Sequence, residues 1–561
     1  MKYKAALRQK NTVPEEICTV RKRGGKEVIR VALAFPNTYY VGMSNLGFQT
    51  VYRLFHAQEG VVCERFFLPE DAQYGSTGSR APLVSIETGR PLHSFHIIAF
   101  SLSFENDYPH ILTMLDLGNV PLVQRDRTAR DPLVIAGGIA TFLNPEPLAE
   151  IFDLFLIGEA EELVSEFLNV VMEGCSKGRW RRPALSAFAG IKGAYVPSAY
   201  TVTYTAGGCI EAMHPKDGFP ARIPCRHVSA LDVFPAMSCF SIRTTEFGSM
   251  ALLEVSRGCT RQCRFCAVGT VYRPYRSRSI AILQHELANV QEDDTRIGIL
   301  GAAVADYPEL NQLVHHIAAT GRSASISSLR ADALTEELIV LLLRCGHKTF
   351  TIAPEAGSER LRTVIGKRLL NEDIFRSVRL LAAAGVMNIK LYFMVGLPTE
   401  TDQDVQDIVR LTKAIKHECL HQVKYEARLP HIQVSVSPFV PKPATPFQWH
   451  PFDDVDRIRQ KLKYITNAFK KERTITVSHD LPKWAYLQAM FSRGDRRVGK
   501  LLMMAHEMRG DWNRVFRESD LNPDFYVYRQ RSREECLPWD FIEHAIDKET
   551  LWKEYQKALC P

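Results

Sequence analysis

Three cysteines, Cys259, Cys263 and Cys266, stand in the run Ser256-Arg-Gly-Cys-Thr-Arg-Gln-Cys-Arg-Phe-Cys266, a C-x3-C-x2-C spacing. Three thiolates on one tight loop can hold three irons of a [4Fe–4S] cluster. The fourth iron then has no protein ligand and is free to bind a small molecule. Electron-transfer clusters usually have four cysteine ligands, so an open iron suggests a site for chemistry. Zinc would want a fourth Cys or His at short range. His227 and His285 are the nearest histidines on either side, and neither has finger-like spacing. Disulfides fit poorly with 13 scattered cysteines, an odd number, in a large chain.

The elements around this loop read as α/β. The strand Ala251-Leu-Leu-Glu-Val255 feeds it. Further strand candidates follow at Arg296–Leu300, Ala324–Ser327, Thr349–Ala353, Asn388–Val395 and Ile432–Val436. Amphipathic helices separate them at Glu336–Leu343, Asn371–Ala384 and Asp402–His417. About six β/α units over residues 246–450 make a partial barrel. Barrel chemistry lies at the C-terminal ends of the strands, which is the rim on which the cysteine loop falls.

Upstream, strands are expected at Val28–Phe35, Ile97–Leu102, Leu133–Ala136 and Leu154–Ile157, with helices at Asn45–Gln58 and Tyr108–Leu117 between them. This alternation predicts a doubly wound parallel α/β domain over residues 28–175. Gly137-Gly138 and Gly158-Glu159 follow two of these strands, as tight turns or as places where backbone meets a ligand. A basic lead-in covers residues 1–27, with Arg21-Lys-Arg-Gly-Gly-Lys26. A connector with a short β element, including Tyr200–Tyr204, covers 176–245. The run Ser437-Pro-Phe-Val-Pro-Lys-Pro-Ala-Thr-Pro-Phe-Gln-Trp449 is too rich in proline for a helix and reads as an extended strap. A helical region covers 451–561. Its Arg493, Arg496 and Arg497 could meet phosphate or pair with Asp495.

With 561 residues, 46% hydrophobic and 24% charged, the chain has material for three or four ordinary globular domains. The net charge of +7 is compatible with a solvated surface or a weak pull on nucleic acid. The polar N-terminus is not expected to be a signal peptide. No run of 18 apolar residues predicts a membrane span. The expected compartment is a reducing cytoplasm.

The cysteine motif resembles the signature of the radical S-adenosylmethionine (SAM) superfamily. The resemblance implies that Phe265 lies against the adenine of SAM, and that the SAM amino and carboxylate groups chelate the open iron. Reduction would cleave SAM to methionine and a 5′-deoxyadenosyl radical, which abstracts hydrogen from a substrate. Other segments are similar to motifs of the same superfamily. Gly301-Ala302-Ala303 stands where Gly-Gly-Glu usually meets the SAM amino group, but without the acid. In Ser327-Ser-Leu-Arg330, the resemblance sends Ser328 to ribose and Arg330 to the SAM carboxylate. Glu355 falls on the acid of Gly-x-Glu-Ser-Gly-Ser, though Arg330 and Glu355 could instead pair with each other. Leu397, in Val395-Gly-Leu-Pro-Thr-Glu-Thr401, would pack on adenine.

The upstream domain is similar to the cobalamin-binding-like domain that precedes many radical SAM cores. Ser101-Leu-Ser103, Ala136-Gly-Gly138 and Ile157-Gly-Glu-Ala160 stand at the binding loops of that family. Its D-x-H-x-x-G motif is missing, since residues 37–47 contain no His. The resemblance thus implies a [4Fe–4S] cluster and SAM, with cobalamin possible. The expected partners are SAM, a substrate that could be RNA or a small molecule, and an electron donor such as flavodoxin or ferredoxin. Three activities remain open. One is cobalamin-dependent methyl transfer. Another is radical chemistry without cobalamin, such as sulfur insertion or RNA modification. The third is a nonenzymatic iron–sulfur or RNA-associated scaffold. Methylthio transfer recruits a second cluster from three N-terminal cysteines, and here Cys18, Cys63 and Cys175 are widely spaced.

Overall fold

The computed structural model describes residues 16–20, 29–72, 81–175, 180–243, 245–248, 250–290, 296–327, 329–422 and 430–560. The basic run Arg21–Lys26 and Ser328 lie outside the described residues.

A six-stranded sheet forms the N-terminal part. Its strands are β1 (Ile29–Phe35), β2 (Val61–Phe67), β3 (Ile97–Ser101), β4 (Leu133–Gly137), β5 (Leu154–Leu156) and β6 (Ala194–Tyr195), in the order β2-β1-β3-β4-β5-β6. All neighbours pair in parallel except β6, which runs antiparallel to β5. β1 carries Ile-Arg-Val-Ala-Leu-Ala-Phe, six of its seven residues buried, as a strand covered on both faces requires. The covering helices include α1 (Leu46–His56), α2 (Tyr108–Leu117) and α3 (Ala160–Glu173). Asn45 starts α1 by accepting the Phe48 N–H. The strand order reverses between β1 and β3, and open α/β sheets bind ligands at the carboxyl ends of strands beside such a point. β2 was not among the strands expected from sequence, and β6 comes from the connector. That connector also contributes the hairpin Tyr200–Tyr204 with Ile210–Pro215.

The second parallel array contains β7 (Met250–Glu254), β8 (Arg296–Leu300), β9 (Ala324–Ile326), β10 (Thr349–Glu355), β11 (Asn388–Val395), β12 (His431–Pro438) and β13 (Ile475–His479). The order is β7-β8-β9 and β10-β11-β12-β13. A parallel bridge between Leu329 and Ile352 joins the two groups. The helices α4 (Ile280–Ala288), α5 (Leu310–Ala319), α6 (Glu336–Arg344), α7 (Asn371–Ala383), α8 (Asp402–Gln422) and α9 (Val455–Phe469) alternate with these strands. In β11 the buried residues alternate along Asn-Ile-Lys-Leu-Tyr-Phe-Met-Val, the period of a strand with two unlike faces. The array extends the expected six strands by one. β13 lies in a stretch read as helical, yet pairs in parallel with β12 from Ile432↔Ile475 to Val436↔His479. Five residues between charged helices give too short a pattern to stand out, and pairing with β12 makes them a strand.

The proline-rich strap ends in a short 3-10 helix, Pro446–Trp449. Phe447 and Trp449 are fully buried against Trp552 and Tyr555 of the last helix, α10 (Lys548–Leu559). The expected arginine cluster is structural: Arg497 pairs with Asp495, Arg496 with Glu146, and Arg493 donates to the carbonyls of Val527 and Arg529. Among the described residues, no helix is long and apolar enough to cross a membrane.

Candidate functional site

The cysteine loop leaves the C-terminal end of β7. A two-stranded ladder closes its base, pairing Ser256 with Ser277 and Arg257 with Arg276. Cys259, Cys263 and Cys266 are free, half-buried thiols. Burial pushes the Cys263 thiol up to about 11, while Lys367 and Arg330 pull it down and Cys266 and Cys259 add to the rise. Burial likewise raises Cys266, against N–H groups of Gly269 and Val268 that favour its thiolate. The Arg261 N–H donates to Cys259 Sγ at 3.4 Å.

No group of three or more His, Cys, Asp or Glu converges on a single metal ion among the described residues. A cluster that assigns one iron to each thiolate does not ask for that convergence. Three neighbouring thiols on one loop, with backbone N–H donors and two cations beside them, fit a tri-thiolate cluster.

Other residues of the loop are tied down from outside it. Thr260 and Arg261 both bind Asp306, which follows β8; Arg261 Nη2 reaches its carboxylate at 2.9 Å. Burial would raise this carboxyl, but the Arg261 and Thr260 donors hold it below its ordinary value. Arg264 binds Glu554 of α10 at 3.0 Å and the Val364 carbonyl at 2.8 Å.

Glu355 ends β10 in the left-handed region, φ 70°, where the pairing with β11 shifts register. A non-glycine residue there costs on the order of 1–3 kcal/mol, and such strain clusters at functional sites. Burial raises the Glu355 carboxyl above its ordinary value, against Lys367 Nζ at 3.2 Å. Arg330 forms a two-pronged pair with Asp332, at 2.8 and 2.7 Å. The pairing of Arg330 with Glu355 that the sequence left open does not form, because each has a nearer partner.

Phe265 is half-buried against the core. A β-carbon on Gly301 would lie 2.8 Å from Ser256 Oγ, so the residue abuts the start of the cysteine loop. Ala302 is exposed and Ala303 buried. Leu397 is buried and lines a separate cavity of about 710 Å³ with Gly396, Glu400, His450, Asp453 and Lys461. The structure thus gathers the cysteines, Arg330 and Glu355 in one neighbourhood. It adds Lys367 and Asp306, which sequence reasoning missed. Each sits several residues from a recognisable motif, so only the fold brings it in. Thr260, Arg261, Gln262, Arg264, Arg330 and Lys367 line a second cavity of about 420 Å³, together with Arg368 and Lys557.

Residues 47–197 match the family model for radical SAM proteins, N-terminal, and residues 253–412 match that for the radical SAM superfamily. Together these matches span more than half of the chain. The uncharacterized protein MJ0966 of Methanocaldococcus jannaschii is 29% identical over 488 residues, covering 85% of this chain and 91% of that protein. A ribosomal protein uS12 methylthiotransferase, RimO of Desulforudis audaxviator, is 28% identical over 184 residues. That match covers 30% of this chain and 40% of RimO. Among solved structures, the cobalamin-dependent radical enzyme OxsB with aqua-cobalamin bound aligns with a TM-score of 0.49 and 12% identity, over 95% of this chain and 80% of its own. The methyltransferase TsrM of Kitasatospora setae, with cobalamin and a [4Fe–4S] cluster bound, aligns with a TM-score of 0.45 and 14% identity, over 72% of this chain and 74% of its own. A [4Fe–4S] cluster and SAM are the cofactors of the matched superfamily. The chain is an enzyme of the radical SAM superfamily, with the superfamily's N-terminal region ahead of its core.

Proposed function

We propose that Cys259, Cys263 and Cys266 hold the [4Fe–4S] cluster, that SAM binds beside them, and that a substrate radical forms in the barrel mouth. The observation that carries this reading is the gathering of three thiols with Arg330, Lys367 and Glu355 at the carboxyl ends of parallel strands. When bound and reduced by one electron, the cluster supplies the reductive cleavage of SAM to methionine and a 5′-deoxyadenosyl radical that abstracts hydrogen from the substrate.

The chain's own residues prepare for that step. Thiols must lose their protons to bind metal. The backbone N–H groups of Arg261, Val268 and Gly269 and the charge of Lys367 favour the thiolates that burial alone would disfavour. Arg330 receives the SAM carboxylate, Ser328 takes the ribose, Phe265 packs on adenine, and Glu355 is a further SAM contact. Gly301, Ala302 and Ala303 offer backbone where the usual acid is missing.

An electron donor docks on the cationic side of the loop, where Arg261, Arg264, Arg368 and Lys557 surround the second cavity. Asp332 and Glu554 share this lining, and the excess of positive charge over them steers an acidic carrier such as flavodoxin or ferredoxin. The substrate is RNA or a small molecule that reaches the barrel mouth. The compartment is a reducing cytoplasm.

Anaerobic reconstitution with iron and sulfide, then dithionite and SAM, should yield 5′-deoxyadenosine on chromatography. Replacing all three cysteines by alanine should abolish both the iron absorbance and that product. Retention of either by the triple variant would sink the assignment.

A further inference from the structure

The three loops of the N-terminal sheet that resemble cobalamin-binding loops are committed to this chain's own residues. In Ile157-Gly-Glu-Ala160, a β-carbon on Gly158 (φ 126°) would lie 2.4 Å from the Arg226 backbone nitrogen. In Ala136-Gly-Gly138, one on Gly138 (φ 107°) would lie 2.4 Å from the Leu102 carbonyl oxygen. Both glycines therefore admit neighbouring backbone. In Ser101-Leu-Ser103, Ser103 accepts from Asn45 at 3.1 Å, and the nearby buried Glu105 binds Lys442 of the strap and Gln488.

Two of these loops grip the cysteine loop itself. Glu159 is 5% exposed, and its carboxylate oxygens lie 2.7 and 2.9 Å from the Arg276 guanidinium and 3.2 Å from Arg257. It also accepts the Val228 N–H at 2.8 Å. Glu161 meets Arg257 at 2.5 Å. Arg257 and Arg276 face each other in the ladder that closes the cysteine loop. Beyond Gly138, the short helix Ile139–Leu143 brings Ile139 and Leu143 against Ala267, Val271 and Tyr272, just past Cys266. The Phe142 and Tyr272 rings are 6.1 Å apart. These loops do not fit a corrin as they stand.

We infer that the carboxyl edge of the N-terminal sheet is a brace that positions the cysteine loop, with Glu159 as the positioning residue, in place of a corrin site. This rests on the cluster reading above. The ladder fixes both ends of the ligand loop, and Glu159 and Glu161 fix the ladder to a separate, rigid sheet. The same carboxylates and guanidiniums are among the charges next to the loop, and net charge is one of the levers on a cluster's potential.

The test uses the full chain, reconstituted anaerobically, as Glu159→Gln and Arg276→Gln. Both variants should retain the iron of the unaltered protein. The midpoint potential should rise in Glu159→Gln, which loses a negative charge, and fall in Arg276→Gln, which loses a positive one. In both, the SAM-bound reduced cluster should give a broadened EPR signal, and turnover to 5′-deoxyadenosine at saturating SAM should drop roughly tenfold or more. Unaltered protein incubated with hydroxocobalamin should leave a desalting column without corrin absorbance. Unchanged potential, EPR signal and turnover in a folded variant would overturn the brace. So would corrin retained at one per chain, a result that needs no variant. An unaltered protein that binds no iron would overturn the cluster reading, and the brace with it.

Discussion

Lys367 Nζ stands 3.2 Å from Glu355 Oε1, and the same lysine is the strongest cationic influence on the Cys263 thiol. One side chain thus links the acid at the end of β10 to the cluster loop. Glu355→Gln keeps the shape and removes the charge. Iron content should be unchanged, while SAM affinity should fall about tenfold to a hundredfold, the worth of a hydrogen bond to a charged group. Calorimetric titration with SAM checks this; unaltered affinity would remove Glu355 from the binding site.

Asp107, at the reversal point of the N-terminal sheet, is a pH-sensitive element. Burial lifts its carboxyl to about 7, although Asn37 donates to it at 2.9 Å. A carboxyl whose folded value is raised binds its proton more tightly when folded. Its contribution is therefore present at low pH and is lost as pH climbs from about 4 to about 7. The upper bound on that loss is about 4 kcal/mol, at about 1.4 kcal/mol per unit. Asp107→Asn should flatten the dependence of unfolding free energy on pH across that window. Urea titrations at pH 5 and pH 8 provide the comparison, and an identical pH slope in both proteins would refute it.

Lys461 holds the loop after β11. Its ammonium lies 2.6 Å from Glu400 and 2.7 Å from Asp453, and Glu400 accepts the Gly396 N–H at 2.9 Å. Lys461→Met strands the buried Glu400 and leaves Asp453 to the exposed Arg457, at a cost of about 3–5 kcal/mol. The urea midpoint should drop accordingly.

Arg368 and Lys557 are exposed at the mouth of the cationic cavity. Reversing both to Glu should slow turnover with a flavodoxin-type donor by about tenfold at low salt, with the gap closing as salt screens the charges. Turnover with dithionite should not change. An equal loss with both reductants would show that these residues act on the site and not on docking.

Much of the chemistry was legible in the chain itself. The C-x3-C-x2-C spacing is local, so Cys259, Cys263 and Cys266 needed no fold to be read as a candidate ligand set. The long elements, such as β11 and α8, were equally readable, because hydrophobic periodicity repeats often enough to be unambiguous. β13 was not, since five residues give too little pattern and its strand character comes from pairing with β12. Glu355 and Arg330 were flagged by motif, but their partners were not. Ion pairs between distant residues depend on which loops meet at the rim, as where Lys367 reaches Glu355 and Asp306 reaches Arg261. The same holds for Glu159. The sequence by itself determined the spacing of the three thiols and the alternation of strands and helices, because both are set along the chain. Only the tertiary structure decided that Glu159 faces Arg257 and Arg276 about a hundred residues away, because the docking of one sheet edge on another chooses which charges are buried together.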